Sequence, residues 1–226
     1  MAKKIYLSPS NQTENKYAYG NTNEAVQCRK IADAAEAALK RCGFEVKNNK
    51  TGSMEARVSE SDKWGADLHV PIHTNAHNKS VTGTRIFCWS KTGEGYKAAK
   101  AIYNVLAPVT PGTSENISVN TSLYEIHYSD APCVYIEVDF HDVARIAQWI
   151  IEHVVDIGEA IAKGICNHYG VKYVAPAAAK TYKVVLGEYK TEAEADAAKD
   201  KIMVALEAAR KQLTTAETLL EKSVVK

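Results

Sequence analysis

Three short stretches hold the side chains best equipped for chemistry. In Trp64-Gly-Ala-Asp-Leu-His-Val-Pro-Ile-His-Thr-Asn-Ala76, histidines at 69 and 73 sit in an apolar run that ends in a polar turn. Extended chain puts them on one face but ~13 Å apart, too far to ligate a single ion. His73, at the carboxyl end of its strand, is the better placed; metal ligation competes there with a hydrogen-bonded structural role. In Pro132-Cys-Val-Tyr-Ile-Glu-Val-Asp-Phe140, Glu137 interrupts an apolar strand. An unpartnered carboxylate inside such a strand is costly, so Glu137 calls for a metal, a cation or a proton beside it. A salt bridge and a functional carboxylate at the strand end both meet that demand. The third stretch is Gly20-Asn-Thr-Asn-Glu-Ala-Val-Gln27. With Asn21 as N-cap, Glu24 falls at the third helical position and closes a capping box, which accounts for it without chemistry.

The elements that must carry these residues alternate along the chain. Strands are expected over Lys4–Ser8, Phe44–Lys47, Asp67–His73, Thr84–Trp89 and Cys133–Val138. Helices are expected over Asn23–Arg41, closed by Gly43, over Gly95–Leu106, and as one long element over Val143–Tyr169. The pattern predicts an α/β fold, a mostly parallel twisted sheet flanked by helices. Ligands bind such sheets at the carboxyl ends of the strands.

Composition narrows the class. The 226 residues are 46% apolar and 24% charged, which excludes disorder and suits one domain with a smaller extension. Lys and Arg number 28 against 27 Asp and Glu, a balance that argues against nucleic acid and electrostatic membrane recruitment as partners. The five cysteines form no CxxC and behave as small hydrophobes. The opening Met-Ala-Lys-Lys-Ile-Tyr-Leu-Ser-Pro lacks the apolar length of a signal peptide, and no stretch spans a membrane. The chain is therefore expected to be made in the cytoplasm.

His-Val-Pro-Ile-His-Thr-Asn-Ala resembles the Ser-Ile-His-Ala-Asn-Ala motif of zinc-dependent N-acetylmuramoyl-L-alanine amidases, the sheet-based type of bacterial autolysins and phage endolysins. The strand around Glu137 is similar to that family's Pro-Ala-Val-Leu-Val-Glu-x-Gly-Phe, and Glu24 matches its metal-binding glutamate. Trp64-Gly-Ala-Asp and Thr82-Gly-Thr-Arg-Ile-Phe also stand where the family has them. The likeness runs over about residues 3–172. It implies peptidoglycan as substrate, Zn2+ as cofactor, Glu24 and His73 as metal ligands, and Glu137 as general base for hydrolysis of the bond between N-acetylmuramic acid and L-alanine. Asn75 and His141 are implied at the substrate groove. Release to the cell wall would follow lysis of the host or of the cell itself.

One position departs from the family. Its Asp-Pro-Gly-His reads Ser8-Pro9-Ser10-Asn11 here, so Asn11 stands where a histidine ligates zinc. A neutral amide is a poorer donor than imidazole. Asn11 or Gln12 ligates instead, or His127 or His77 supplies the bond, or the fold is kept as a peptidoglycan-binding module with a degraded metal site.

The tail begins after residue 173. Residues 174–180 form a linker, and 181–226 form a strand over Thr181–Tyr189 followed by a helix of about 30 residues opened by a Thr191/Glu194 capping box. Ile202, Leu206, Ala209, Leu213, Ala216 and Leu220 make a heptad stripe that would dock on the domain or mediate self-association. The same segment echoes the opening of sporulation-related wall-binding repeats, though too few residues remain for a whole one.

Overall fold

The computed structural model describes residues 2–177 and 190–224, with side chains in the second stretch described to 208. The chain divides into two compact units, Met1–Pro176 and Ala177–Lys226.

The first unit is a six-stranded sheet in the order β2-β1-β3-β6-β4-β5. Its strands are β1 (Lys4–Pro9), β2 (Glu45–Asn48), β3 (Leu68–Asn75), β4 (Arg85–Cys88), β5 (Asn116–Val119) and β6 (Tyr135–Phe140). Every pairing is parallel except β4 with β6. The α/β architecture expected from the sequence is what the chain adopts, with one antiparallel seam and with strand ends one or two residues from those expected.

Helices α1 (Glu24–Arg41), α3 (Gly93–Leu106) and α6 (Val154–Tyr169) share one hydrophobic core with the sheet. Alternation in the strands selects the residues turned to that core: Ile5 and Leu7, Leu68, Val70 and Ile72, and Ile136 and Val138, all fully buried. On α1 the stripe is Cys28, Ile31, Ala35, Ala38 and Leu39; on α6 it is Ile157, Ile161 and Ile165. Two glycines let α6 approach closely. A Cβ on Gly158 would lie 2.6 Å from that of Ala34, and one on Gly164 would lie 2.4 Å from the Cα of Ile102.

The alternate strand residues, His69, His73, Tyr135 and Glu137, are left to the other face. Two helices that the sequence reading did not foresee, α2 (Met54–Trp64) and α4 (Tyr124–Tyr128), contribute buried residues to the cluster around them. Strand β5 was also unforeseen. The long helix expected over Val143–Tyr169 is broken at His153 into α5 (Ala144–Glu152) and α6. His153 leaves the helical region (φ −120°, ψ 23°), its ring stacking on Trp149 with Nδ1 donating to the Trp149 carbonyl.

In the second unit, α7 spans Glu192–Val224, and Thr191 Oγ1 accepts from the Glu194 N–H. Glu194 returns its carboxylate to the N–H of Lys190 rather than to that of Thr191. The strand expected over Thr181–Tyr189 lies outside the described residues, as does most of the linker. Among the described residues no helix is long and apolar enough to cross a membrane.

Candidate active site

Strand register brings two of the three singled-out residues together. His73 and Glu137 are Cα partners in the parallel β3–β6 pair, where adjacent strands run roughly 4.8 Å apart. Their side chains share the face opposite the core. The His73 ring stacks on Tyr135, with centroids 4.5 Å apart.

Glu24 arrives from the loop that follows β1. Its capping-box role is not realised: the N-cap is Asn23, whose Oδ1 accepts from the Val26 N–H at 3.0 Å. Glu24 is then the first helical residue, favoured electrostatically at a helix N-terminus, with its carboxylate free to turn inward. Oε1 accepts from His73 Nδ1 at 2.7 Å, and Oε2 accepts from Asn15 Nδ2 at 2.7 Å. Asn15 also donates to Gln12 Oε1 at 2.6 Å, and Gln12 Nε2 lies 3.5 Å from His73 Nδ1. Glu24, His73, Gln12 and Asn15 thus close a polar ring at the carboxyl edge of the sheet.

Burial and neighbouring charge set the protonation states. Burial alone would raise the Glu24 carboxyl, but hydrogen bonds from His73 and Asn15 and the charge on His73 hold it below the usual glutamate range. For His73, burial works against the imidazolium, yet the bond to Glu24 and the carboxylates of Glu137, Glu24 and Glu125 lift it above an ordinary histidine. The two form an ion pair. Glu137 has no such partner: its Oε2 is buried without a hydrogen bond. Desolvation outweighs the pull of His73 and, with a smaller push from Glu24, drives its carboxyl up to about 8. The salt bridge open to Glu137 from the sequence is absent among the described residues. A proton near neutral pH satisfies it instead.

Behind this edge lies a second polar cluster. Arg57, Glu125, His69 and Ser8 are each at most 1% exposed. Arg57 Nη1 donates to the Pro9 carbonyl and, at 3.4 Å, to Ser8 Oγ. Ser8 Oγ donates to Glu125 Oε1, which His69 Nε2 also approaches at 3.2 Å. Arg57 therefore anchors the strand end from which the Asn11–Gln12 loop departs. The sequence reading missed Arg57 and Glu125, which belong to α2 and α4; an arginine on a short amphipathic stretch carries no sign of burial. His69, too far from His73 to share an ion, is accounted for here, stacked on Tyr6.

The remaining expected residues divide. Asn11 is not brought to the Glu24–His73 pair: it is exposed, its Nδ2 aimed at the Gly52 carbonyl 3.5 Å away. The amide that approaches His73 is that of Gln12, an exposed residue as well. Asn75 is partly exposed at the end of β3. His141 does not line a groove. It is 2% exposed, stacked on Tyr17, with Nδ1 held by the Thr74 carbonyl (3.0 Å) and Oγ1 (2.9 Å), and burial lowers its basicity. His127 packs against Trp89 with Nδ1 donating to the Thr121 carbonyl, and His77 sits in the loop beyond β3. Among the described residues no cluster of three or more His, Cys, Asp and Glu is arranged to hold a metal ion. The donors that converge are one carboxylate, one imidazole and one amide.

An acid–imidazole pair and a glutamate with a raised pKa stand together at the carboxyl edge of the α/β sheet, where such folds bind ligands. The chain belongs to the N-acetylmuramoyl-L-alanine amidase family (Amidase_3), whose pattern matches residues 5–167. A relative from Clostridium perfringens, known as an uncharacterized 38.4 kDa protein, is 28% identical over 162 residues; the match takes in 67% of this chain and 47% of that protein. The chain thus corresponds to about half the length of that relative. Among solved structures, the catalytic domain of CwlV, an N-acetylmuramoyl-L-alanine amidase from Bacillus (Paenibacillus) polymyxa var. colistinus, is similar with TM-score 0.68 at 19% identity, covering 75% of this chain and 99% of that one. Cwp6 from Clostridium difficile gives 0.69 at 21%, covering 74% and 29%. The catalytic domain of the CD27L endolysin gives 0.61 at 21%, covering 74% and 97%. These likenesses bear on the fold.

Proposed function

We propose that this chain hydrolyses the amide joining N-acetylmuramic acid to L-alanine in bacterial peptidoglycan, with Glu137 as general base. The carrying observation is the convergence of Glu24 Oε1 and His73 Nδ1 at 2.7 Å, with Glu137 in register beside His73.

The donor chemistry fits a zinc ion in two protein positions, the Glu24 carboxylate and the His73 imidazole; the third is an amide oxygen from the Asn11–Gln12 pair, of which Gln12 stands nearer. When bound, zinc would supply the positive charge that acidifies a water and stabilises a developing oxyanion. The chain's own residues do the rest. Glu137 Oε2, free of other bonds, takes a proton from the attacking water and returns it to the departing amine nitrogen, and its raised pKa suits exchange near neutrality. Asn15 and Tyr135 fix the orientations of Glu24 and His73. Asn75 contributes to substrate binding, and release to the wall follows lysis. Exposed Met203, Val204 and Leu206 on α7 support self-association through that helix.

The exposed, outward-turned Asn11 favours a second reading, a module that grips peptidoglycan without cutting it. Incubation with purified peptidoglycan, followed by mass spectrometry of soluble fragments and labelling of new amino termini, separates the two. Free L-alanine amino termini on stem peptides, lost on chelation and restored by zinc, support the amidase. Pelleting on walls with no new termini would replace it by the module.

A further inference from the structure

Beside Glu137 the structure holds a cation that forms no ion pair among the described residues. Arg85 is the Cα partner of Glu137 in the antiparallel β4–β6 pair, so its side chain rises from the same face. Its Nε is buried without a hydrogen-bond partner. The β3–β6 register shifts by one residue between His73 and Asn75, pairing Asn75 with Phe140. The Arg85 guanidinium reaches over the Phe140 ring, 5.5 Å from its centroid, rather than toward Glu137. There it lines a cleft of about 170 Å³ together with Asn75, Ala76, His77, Val81 and Phe140. Of the nearby acid, Asp142, one oxygen is engaged: Oδ2 accepts from the N–H groups of His77 and Lys79, while Oδ1 is buried without a hydrogen-bond partner and forms no ion pair with Arg85. A planar cation, stacked on an aromatic ring and half-buried beside the reacting edge, is a ready receptor for a carboxylate.

We propose that Arg85 and this cleft form an anion subsite for the free α-carboxylate of the second stem-peptide residue, a glutamate joined onward through its side chain. This rests on the amidase reading above, which places the scissile bond at Glu137. Two residues of extended peptide span about 7 Å, the order of reach from Glu137 across one strand to the arginine head. The subsite makes the enzyme discriminate between stems whose second residue is a glutamate and stems in which that carboxyl is amidated.

The test uses two muramoyl tripeptides, L-alanyl-γ-D-glutamyl-L-lysine and the same stem with the glutamyl α-carboxyl amidated. Binding to the Glu137→Gln chain is measured by calorimetry, and hydrolysis by the unaltered chain is followed by chromatography. The carboxylate form is expected to bind about tenfold tighter and to show the difference in KM rather than kcat, the preference shrinking with added salt. Arg85→Gln brings the two ligands to within about twofold, and Arg85→Lys restores part of the gap. Should Arg85→Gln fail to fold, the preference of the unaltered chain decides. Equal binding and equal hydrolysis of both stems would overturn the subsite and leave the amidase reading standing. Carboxylate-selective binding without hydrolysis of either would uphold the subsite and overturn the amidase reading.

Discussion

Replacing Glu137 by glutamine should stabilise the metal-free protein while abolishing its chemistry, and the size of the gain follows from the site. In the unfolded chain the carboxyl titrates near 4.5; in the folded chain burial and Glu24 lift it to about 8. Between those values the folded state retains a proton that the unfolded state has released. Stability from this group is therefore intact below about pH 4.5 and declines as pH rises toward 8. At 1.36 kcal/mol per unit, the penalty reaches about 3 kcal/mol at pH 7 and stays under about 1 kcal/mol at pH 5. Glutamine keeps the shape and carries no proton to lose. Urea unfolding of both proteins with a chelator present should thus show a stability difference that widens by about 2–3 kcal/mol from pH 5 to pH 7. Hydrolysis of peptidoglycan should fall by about two to four orders of magnitude. A difference that stays flat across that pH range would refute the claim that Glu137 is buried without a counter-charge.

Arg57→Met should cost about 3 kcal/mol in urea unfolding, because it removes a buried charge attracted to Glu125 and frees the Pro9 carbonyl; a loss under about 0.5 kcal/mol would show that the cluster does not anchor the loop. Gly158→Ala should lower stability by about 1–3 kcal/mol without changing the zinc requirement, since its Cβ would meet Ala34 and Ala35 across the α1–α6 contact. Gln12→His should tighten zinc binding, measured by competition with a chromophoric chelator, by about tenfold or more. His73→Ala should abolish that binding, and retention would remove the imidazole from the site.

Much of the framework was legible in the residues themselves. Apolar runs at 5–7, 68–72 and 134–138 marked strands buried on the core side, and the Ala-rich stretch before Gly43 marked the first helix. Glu137 stood out because a carboxylate in an apolar strand needs an explanation, and none of its neighbours supplied one. The capping-box account of Glu24 failed for a local reason: the helix starts at residue 24, two positions later than Asn21 as cap would place it, and sequence periodicity fixes helix ends only to within a few residues.

The sequence by itself determined the kind of fold, the strands that end at the reacting edge, and the glutamate whose burial demands a proton. Only the tertiary structure decided that Gln12 rather than Asn11 faces His73, that His141 packs inward on Tyr17, and that Arg85 stands in register opposite Glu137. The reason is one of range. Burial and periodicity are written residue by residue along the chain, whereas the direction of a loop side chain and the partner of a charge depend on strand register and on helices contributed from 50 or more residues away.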